Sequence, residues 1–264
     1  MTLFERKRIL EYLNWHISRP HRKGHGIHSP FLYAFIWNTF PSYRRYKNKR
    51  IEKLRKELLR NTETIIVEDF GAGSRKNSLP ERRICDIAKH APTKAKRGVL
   101  LYRMVQYLKP DVIIELGTSL GIGTLYLSAG RNESTVYTIE GSKNIAQLAS
   151  NHFKQLNAEN IKLIEGNFDT EFPKLLDGLL KFDLLYIDGN HSHEATIRYF
   201  NLASKYAGDN SVIVIDDIRW SEGMYYAWLE ICGNQHAKLT LDLFDFGIVF
   251  YNNKIIKQHF RLYY

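Results

Sequence analysis

The pattern of hydrophobic and polar positions changes period repeatedly along the second half of the chain. Short runs of β-branched and aliphatic residues alternate with longer segments whose apolar residues recur every three to four positions. The runs predict strands at 112–116, 135–140, 161–165, 182–187 and 211–216, and the intervening segments predict helices at 122–130, 143–156, 171–180 and 193–206. This alternation indicates a parallel, doubly wound sheet with right-handed crossovers.

The pattern ends with a different kind of connection. After a helix predicted at 222–232, two more strands, near 238–244 and 247–252, are separated only by Asp245-Phe246-Gly247. A connection too short to hold a helix predicts an antiparallel pair. We therefore expect an α/β fold with a doubly wound, Rossmann-like sheet of seven strands, mostly parallel and ending in an antiparallel C-terminal hairpin.

The N-terminal part of the chain lacks this alternation. Helical spacing is present at 3–18, 50–60 and 98–108, with a turn-rich segment at 21–30, an aromatic stretch at 31–40 and a short strand at 64–67. A glycine turn at 69–74 has no helix and acidic second strand after it at the right interval. We predict a basic helical cap over 1–95, with a pocket loop at 69–80, and a main α/β domain over 96–264.

The positive charge is concentrated in this N-terminal segment. Residues 1–60 contain 15 Lys and Arg against 4 Asp and Glu, a balance of +11 in a chain whose net charge is +10. Such a segment could meet nucleic acid, an acidic substrate or an anionic membrane surface. The simpler alternative is a solvated helical extension.

Composition excludes several classes of protein. Hydrophobic residues make up 44% and charged residues 25%, as in a globular domain, and no apolar run approaches the roughly 20 residues of a membrane span. The charged start of the chain does not resemble a signal peptide. Two cysteines, Cys85 and Cys232, form no disulfide framework or metal-like pairing. We expect a cytoplasmic protein without a membrane span.

A glycine-rich turn follows the first strand of the alternating region. Val112-Ile113-Ile114 leads into Glu115, and Gly117, Gly121 and Gly123 then open a helix. Glycines at this point let the backbone turn tightly and approach a ligand closely. The spacing is not G-x-G-x-x-G, and an acid directly before the turn is unfavourable for a pyrophosphate. A cationic nucleoside without phosphate suits the turn better.

The other predicted strands also end in polar residues. Ligands of open α/β sheets bind beyond these carboxyl ends. Glu140 lies 25 residues after Glu115, where a carboxylate can accept both hydroxyls of a ribose. The remaining strand ends carry Gly166-Asn167-Phe168, Asp188-Gly189-Asn190-His191 and Asp216-Asp217.

These motifs resemble those of a known family. The segment from Lys96 to Phe250 resembles class I S-adenosylmethionine-dependent methyltransferases, most closely the O-methyltransferases of the catechol and caffeoyl-CoA type and their bacterial relatives. The resemblance is carried by the helix at 98–108 with the turn at 115–121, and by the strand and turn at 182–192. It implies S-adenosylmethionine as cofactor, bound by Glu115, Gly117, Thr118, Ser119, Gly121, Gly123, Glu140, Gly141, Ser142, Gly166, Asn167, Phe168 and Asp188.

The resemblance also implies a catalytic arrangement after the fourth and fifth strands. The relatives hold a divalent cation there, which places Asp188, Asp216 and Asp217 as ligands for Mg²⁺, Mn²⁺ or Ca²⁺. Asp217 stands where the relatives have asparagine, and His191 stands where the catechol enzymes have a catalytic lysine. Asp188 and His191 are thus the candidate catalytic residues, His191 as general base. In the alternative, Asp188 contacts only the cofactor and Asp216-Asp217 cap the following helix.

Two further groups have a functional and a structural interpretation. His21, His25 and His28 suggest zinc, but no fourth ligand has suitable spacing, so polar surface is the simpler interpretation. The aromatic residues Tyr33, Phe35 and Trp37 suit either a roof over an aromatic substrate or packing of the cap. The helix residues Trp220, Met224, Tyr225 and Trp228 suit either substrate contact or an ordinary apolar face.

We expect an O-methyltransferase acting on a small hydroxylated molecule, as a monomer or homodimer. Two alternatives remain at this point. One is an RNA methyltransferase that uses the basic N-terminal segment, and the other is a non-catalytic module that binds nucleoside or nucleic acid. Glu115, Glu140 and Asp188 are all present, which argues against the second alternative.

Overall fold

The structure, a computed structural model, describes residues 3–40, 48–67, 81–90, 94–253 and 255–264. It divides into a central unit, Asn38–Leu179, and a terminal unit formed by Met1–Trp37 and Leu180–Tyr264. The glycine turn at 69–74 and the whole of the predicted pocket loop at 69–80 lie outside the described residues. The predicted division into a cap and a main domain at residue 95 stays a prediction.

The helices follow the hydrophobic pattern closely. They are α1 (Leu3–Ser18), α2 (Pro30–Thr39), α3 (Lys49–Leu58), α4 (Ile84–His90), α5 (Ala95–Leu108), α6 (Ile122–Gly130), α7 (Lys143–Leu156), α8 (Phe168–Leu179), α9 (His193–Ser204) and α10 (Glu222–Gly233), with a 3-10 turn at Arg22–Gly24. The aromatic stretch predicted without a defined structure is α2. Among the described residues, no helix is long and apolar enough to cross a membrane.

The strands confirm the predicted α/β fold. They are β1 (Thr64–Ile66), β2 (Glu81–Arg83), β3 (Val112–Leu116), β4 (Thr135–Glu140), β5 (Ile161–Glu165), β6 (Phe182–Ile187), β7 (Ala207–Ile215), β8 (Leu239–Asp242), β9 (Gly247–Phe250) and β10 (Gln258–Arg261). The seven strands predicted for the sheet correspond to β3 to β9. The edge strand β10 was not predicted.

In the central unit, β3, β4 and β5 are parallel, with β4 between the other two. The β-branched residues at the centres of β3 and β4 are buried, as expected for strands covered on both faces, whereas those of β5 are only partly buried. On one side α5 and α6 pack closely, because the ring of Tyr126 lies against Gly98. A Cβ atom at position 98 would stand only 2.4 Å from that ring. A separate antiparallel pair is formed by β1 and β2.

The basic helix α3 belongs to the core of the central unit. Its residues Ile51, Leu54 and Leu58 are buried in one hydrophobic cluster with residues of α4, α6 and α7. Lys53 and Lys56 on the opposite face are exposed. Part of the basic N-terminal segment is thus a solvated face of a firmly packed helix.

In the terminal unit, β6 and β7 are parallel, and the chain then reverses. The strand β9 pairs antiparallel with both β7 and β8, which confirms the predicted C-terminal hairpin, and β10 pairs parallel with β8. The aromatic residues Phe31 and Phe35 of α2 pack edge-to-face against Phe250 of β9. Met224 and Trp228 of α10 are buried. The buried members of these groups therefore serve packing within this unit, whereas Tyr33 and Trp37 are exposed and stack on each other.

Candidate functional site

The glycine turn after β3 has the backbone conformation that the sequence predicted. Gly117, Ser119 and Gly121 have positive φ values of 107°, 48° and 79°. A Cβ on Gly121 would stand 2.5 Å from the ring of Phe153 on α7, so this position requires glycine both for its conformation and for the space. The amides of Gly117 and Thr118 both donate to the carbonyl of Ile139, which fixes the turn to β4.

A histidine that the sequence reasoning missed also fixes this turn. His152 of α7 is buried, and its Nδ1 lies 3.0 Å from the carbonyl oxygen of Leu120. Because a carbonyl can only accept, Nδ1 carries the proton. Burial lowers the pKa of His152, which keeps the ring neutral at physiological pH. Together with Phe153, this residue positions the turn from the helix side.

Glu115 lies beneath the turn rather than in an open cleft. Its side chain is buried, and one oxygen, Oε2, accepts hydrogen bonds from Thr124 at 2.5 Å and Thr138 at 2.6 Å. Thr138 Oγ1 also lies 2.6 Å from Thr118 Oγ1, and since its own proton goes to Glu115, Thr118 is the donor there. This geometry favours a positioning role for Glu115, and its predicted contact with a ligand ammonium stays a prediction.

We expect Glu115→Gln to remove a pH dependence of stability. Burial raises the pKa of Glu115 from 4.5 to about 7, more than the two threonine hydrogen bonds lower it. The folded chain therefore holds an extra proton between these values, and its stability falls as the pH rises through them. A glutamine carbonyl can accept both threonine hydroxyls without titrating. As the pH rises from 5 to 8, the free energy of unfolding of the variant, measured in urea, should increase by roughly 2 to 3 kcal/mol relative to that of the parent.

The matched control for this prediction is Glu133→Gln. Glu133 is a largely exposed carboxylate, so its replacement should leave the pH dependence of unfolding unchanged. A difference between Glu115→Gln and the parent that stays constant from pH 5 to pH 8 would show that the buried carboxyl does not titrate in this range.

Glu140 at the end of β4 links two loops. Its Oε2 accepts the amide of Ser119 at 2.9 Å, and its Oε1 accepts the amide of Ser142 at 3.0 Å. The hydroxyl oxygens of both serines are buried and have no hydrogen-bond partner among the described residues. Buried hydroxyls without a partner are rare in native proteins and call for an explanation. Here they flank a carboxylate at the carboxyl end of a parallel strand, where ligands of such sheets bind.

The third predicted loop follows β5. The amide of Gly166 donates to the backbone carbonyl of Glu140, which ties this loop to the previous one. Asn167 Oδ1 accepts the amide of Asp169 at 2.8 Å and caps the start of α8, so this oxygen already has a partner. Phe168 is half-buried in the first turn of that helix. The structure thus brings together the predicted groups around residues 117–123, 140–142 and 166–168.

A separate cluster occupies the strand ends of the terminal unit. The hydroxyl oxygen of Tyr186 lies 2.9 Å from Asp188 Oδ2 and 2.8 Å from Asp216 Oδ2, so its single proton is shared between the two carboxylates. Asp216 is buried, and its other oxygen accepts the amide of Asp217 at 2.7 Å. His191 Nε2 lies 3.9 Å from Asp188 Oδ1, close enough for electrostatic attraction but too far for a hydrogen bond. His191 also lies beside the ring of Trp220, with centroids 6.3 Å apart.

The predicted metal site is not supported. Across the described ranges, no three or more His, Cys, Asp or Glu side chains are grouped so that they could hold a metal ion, and this includes the histidines at 21, 25 and 28. Asp188 and Asp216 do converge, but they share the proton of the Tyr186 hydroxyl, which lies between them. Because that hydroxyl is a hydrogen-bond donor located between the two carboxylates, the residues present do not fit a cation. We derive no catalytic step from a metal.

Besides His152, sequence reasoning also missed Tyr186, Thr124 and Thr138. A signal was available, since each is a polar residue within or beside an otherwise apolar run. A hydroxyl buried at such a position must find a partner, and the nearest polar groups are those at the strand ends. The sequence gives no indication of which carboxylate each hydroxyl contacts.

Comparison with known proteins identifies the segment that carries these strand ends. Residues 114–218 match a family model described as a methyltransferase domain. This segment is a methyltransferase domain. The resemblance to class I S-adenosylmethionine-dependent methyltransferases predicted from the sequence is thereby confirmed.

A curated relative agrees with this assignment of the methyltransferase domain. The O-methyltransferase hkm8 of Aspergillus hancockii is 30% identical over 118 residues, which cover 42% of this chain and 46% of the relative. The chain thus spans about half the length of the curated relative that it matches.

Solved structures share the fold of the methyltransferase domain. TomG of Streptomyces achromogenes, an O-methyltransferase in complex with S-adenosylmethionine, has a TM-score of 0.57 at 17% identity, over 82% of this chain and 97% of TomG. The O-methyltransferase of Bacillus cereus in complex with S-adenosylhomocysteine has a TM-score of 0.53 at 20% identity, over 61% and 83%. The S-adenosylhomocysteine-bound methyltransferase PaMTH1 of Podospora anserina has a TM-score of 0.56 at 16% identity, over 79% of this chain and 97% of PaMTH1. At these identities the likeness concerns the fold.

Proposed function

We propose that this chain transfers the methyl group of S-adenosylmethionine to an oxygen of a small hydroxylated molecule. The observation that carries the proposal is the pair of buried, unpartnered hydroxyls of Ser119 and Ser142 on either side of the Glu140 carboxylate. The methyltransferase domain supports the cofactor class, and the O-methyltransferase relatives support oxygen as the acceptor atom.

The residues around Glu140 fit the nucleoside part of this cofactor. Each carboxylate oxygen can accept two hydrogen bonds, so Glu140 can take ribose hydroxyls while it keeps the amides of Ser119 and Ser142. The two orphan hydroxyls provide further donors and acceptors at the same place. We propose that the cofactor lies against Gly117, Thr118, Ser119, Gly121, Gly123, Glu140, Gly141, Ser142, Gly166, Asn167 and Phe168, with Glu115 holding the turn from below.

The cofactor supplies an electrophilic methyl group on a positively charged sulfur. On the acceptor side, we propose that His191 takes the proton of the acceptor hydroxyl as general base. Asp188 lies 3.9 Å from its Nε2 and stabilises the imidazolium that results. Tyr186 fixes Asp188 through its hydrogen bond. This leaves the acceptor oxygen as the nucleophile of a direct displacement at the methyl carbon. No metal takes part in this proposal.

Methyl transfer and cofactor binding test the proposal separately. Labelled S-adenosylmethionine is incubated with a panel of catechols, other phenols and sugars, and S-adenosylhomocysteine binding is measured by calorimetry. We expect transfer to at least one hydroxylated acceptor, undiminished by EDTA. His191→Ala should lower the turnover by roughly 100-fold while leaving S-adenosylhomocysteine affinity unchanged. A chain that binds neither cofactor form would overturn the proposal, and loss of affinity in His191→Ala would exclude the base role.

The RNA alternative is not favoured by the comparisons, whose named relatives include O-methyltransferases. Including a tRNA in the same transfer screen decides between the two acceptor classes. The expected cytoplasmic location and the choice between monomer and homodimer stay predictions.

A further inference from the structure

The outer face of α1 exposes a continuous stripe of large aliphatic side chains. These are Leu3, Ile9, Leu10, Leu13 and Ile17, and the exposed fraction reaches 67% for Leu10 and 81% for Ile17. Leu3, Leu10 and Ile17 are seven residues apart and therefore lie in one row along the helix, with Ile9 and Leu13 in the neighbouring row. Solvent-exposed stripes of this size in a stable domain mark a site of interaction.

The opposite face holds α1 rigidly on the terminal unit. Trp15 is buried against Phe244, with ring centroids 5.6 Å apart. Glu11 accepts hydrogen bonds from Arg219 at 3.0 Å and from Arg261 at 2.8 Å. The helix is therefore fixed with its aliphatic stripe directed outward, and the stripe is not the core-facing side of a loosely attached helix.

The exposed side chains around the stripe are basic. Arg6 and Lys7 lie on the exposed side of α1, and Arg19, Arg22 and Lys23 are exposed immediately after its C-terminal end. Between residues 3 and 40, all of which the structure describes, the carboxylates are Glu5 and Glu11. Both are partly buried, and Glu11 is paired with arginines. Within residues 3–40, this surface thus combines aliphatic and cationic groups without an exposed carboxylate.

We propose that this face docks the chain onto an anionic membrane surface. A bilayer with acidic lipids offers both an apolar layer for Leu3, Leu10 and Ile17 and negative headgroups for the neighbouring cations. A second copy would cover the aliphatic stripe but bring like charges together. A nucleic acid would neutralise the cations but leave the aliphatic side chains against phosphate and water. Charge complementarity therefore favours the membrane. This inference does not depend on the proposed methyl transfer.

Vesicle sedimentation tests the proposal. The full chain is mixed with vesicles of phosphatidylcholine alone or of phosphatidylcholine and phosphatidylglycerol in equal parts. We expect binding to the anionic vesicles at least about tenfold tighter than to the neutral ones, with a decrease as salt is added. The double variant Leu10→Glu/Ile17→Glu should lose at least tenfold in affinity. Arg6→Gln and Lys7→Gln should each reduce the affinity about fivefold.

The matched control is Leu180→Glu/Ile256→Glu. These side chains are 75% and 81% exposed in the same unit but lie outside α1, so the control adds the same charges and should bind as the parent does. Circular dichroism checks that each variant is folded. Three results would overturn the proposal: no preference for anionic vesicles, equal binding by Leu10→Glu/Ile17→Glu, or a dimer in light scattering that this variant dissociates. Equally tight binding to a duplex RNA, retained by that variant, would assign the surface to nucleic acid instead.

Discussion

Glu140→Ala is expected to weaken S-adenosylhomocysteine binding by about 100-fold or more. The carboxylate is the only charged group that contacts both the Ser119 and the Ser142 amides within the described part of the chain. In the proposed site this carboxylate also accepts two hydrogen bonds from the ribose hydroxyls. Each hydrogen bond to a charged acceptor contributes about 1.5 kcal/mol or more, so the loss of both corresponds to an affinity change of this size. Calorimetric titration of the folded variant measures the effect directly.

Two further variants make this result specific. Glu140→Gln keeps one carbonyl acceptor at the same place, so its loss should be about tenfold. Glu133→Ala removes an exposed carboxylate elsewhere in the central unit and should bind as the parent does. Thermal unfolding without ligand shows whether the loops around residue 140 remain folded. If Glu140→Ala binds within threefold of the parent, Glu140 does not contact the ribose.

The succession of strands and helices was predictable because it depends on local hydrophobic spacing. The boundaries of α6 and α7 agree with the prediction residue for residue, since each helix begins directly after a strand-end turn and carries a clear apolar face. The edge strand β10 was missed because its exposed sequence, Gln258–Arg261, lacks the apolar alternation of an internal strand. Its pairing with β8 is a tertiary contact that no local pattern encodes.

The site was predictable only as far as the strand ends determine it. The rule that ligands bind beyond the carboxyl ends grouped Glu140 with the glycine turn, and the structure brings these loops together because parallel strands end at one edge. The partners of each carboxylate were not predictable. Tyr186 of β6 lies two residues before Asp188, yet it also contacts Asp216, which directly follows β7, and this second contact depends on the strand register. The resemblance to the relatives therefore implied a cation at a place where the structure has a tyrosine hydroxyl between the carboxylates.

The buried position of Glu115 was not predictable for the same reason, because its hydrogen-bond partners come from other parts of the chain. Its place in the sequence, directly before the turn, suggested an acid facing the ligand. Instead, Thr138 donates a hydrogen bond to the Glu115 carboxyl group and also contacts Thr118, which lies twenty residues earlier in the turn. These hydroxyls connect Glu115 to the interior. The hydroxyl chain satisfies the buried carboxyl group, so the acid can shape the turn without reaching the cleft.

Arg219→Met should produce the largest loss of stability, about 3 to 5 kcal/mol. The guanidinium is buried and donates to both oxygens of Asp242 at 2.8 Å, to Glu11, and to the carbonyl of Phe244 at 2.7 Å. Removing it leaves the buried Asp242 carboxylate without its countercharge. Urea unfolding measures the loss, and hydrogen exchange should show that α1 becomes less protected, because the Arg219 guanidinium donates to Glu11 of that helix.

A double variant separates the unpaired charge from the lost packing. Asp242 Oδ1 also accepts the amide of Phe244, so Asp242→Asn removes the charge but keeps an acceptor for that amide. Arg219→Met/Asp242→Asn should therefore recover most of the stability lost in Arg219→Met, whereas Glu11→Gln, at a partly exposed position, should lose only about 1 kcal/mol. A double variant as unstable as Arg219→Met would mean that packing around the guanidinium, and not the buried charge of Asp242, holds α1 and the hairpin together.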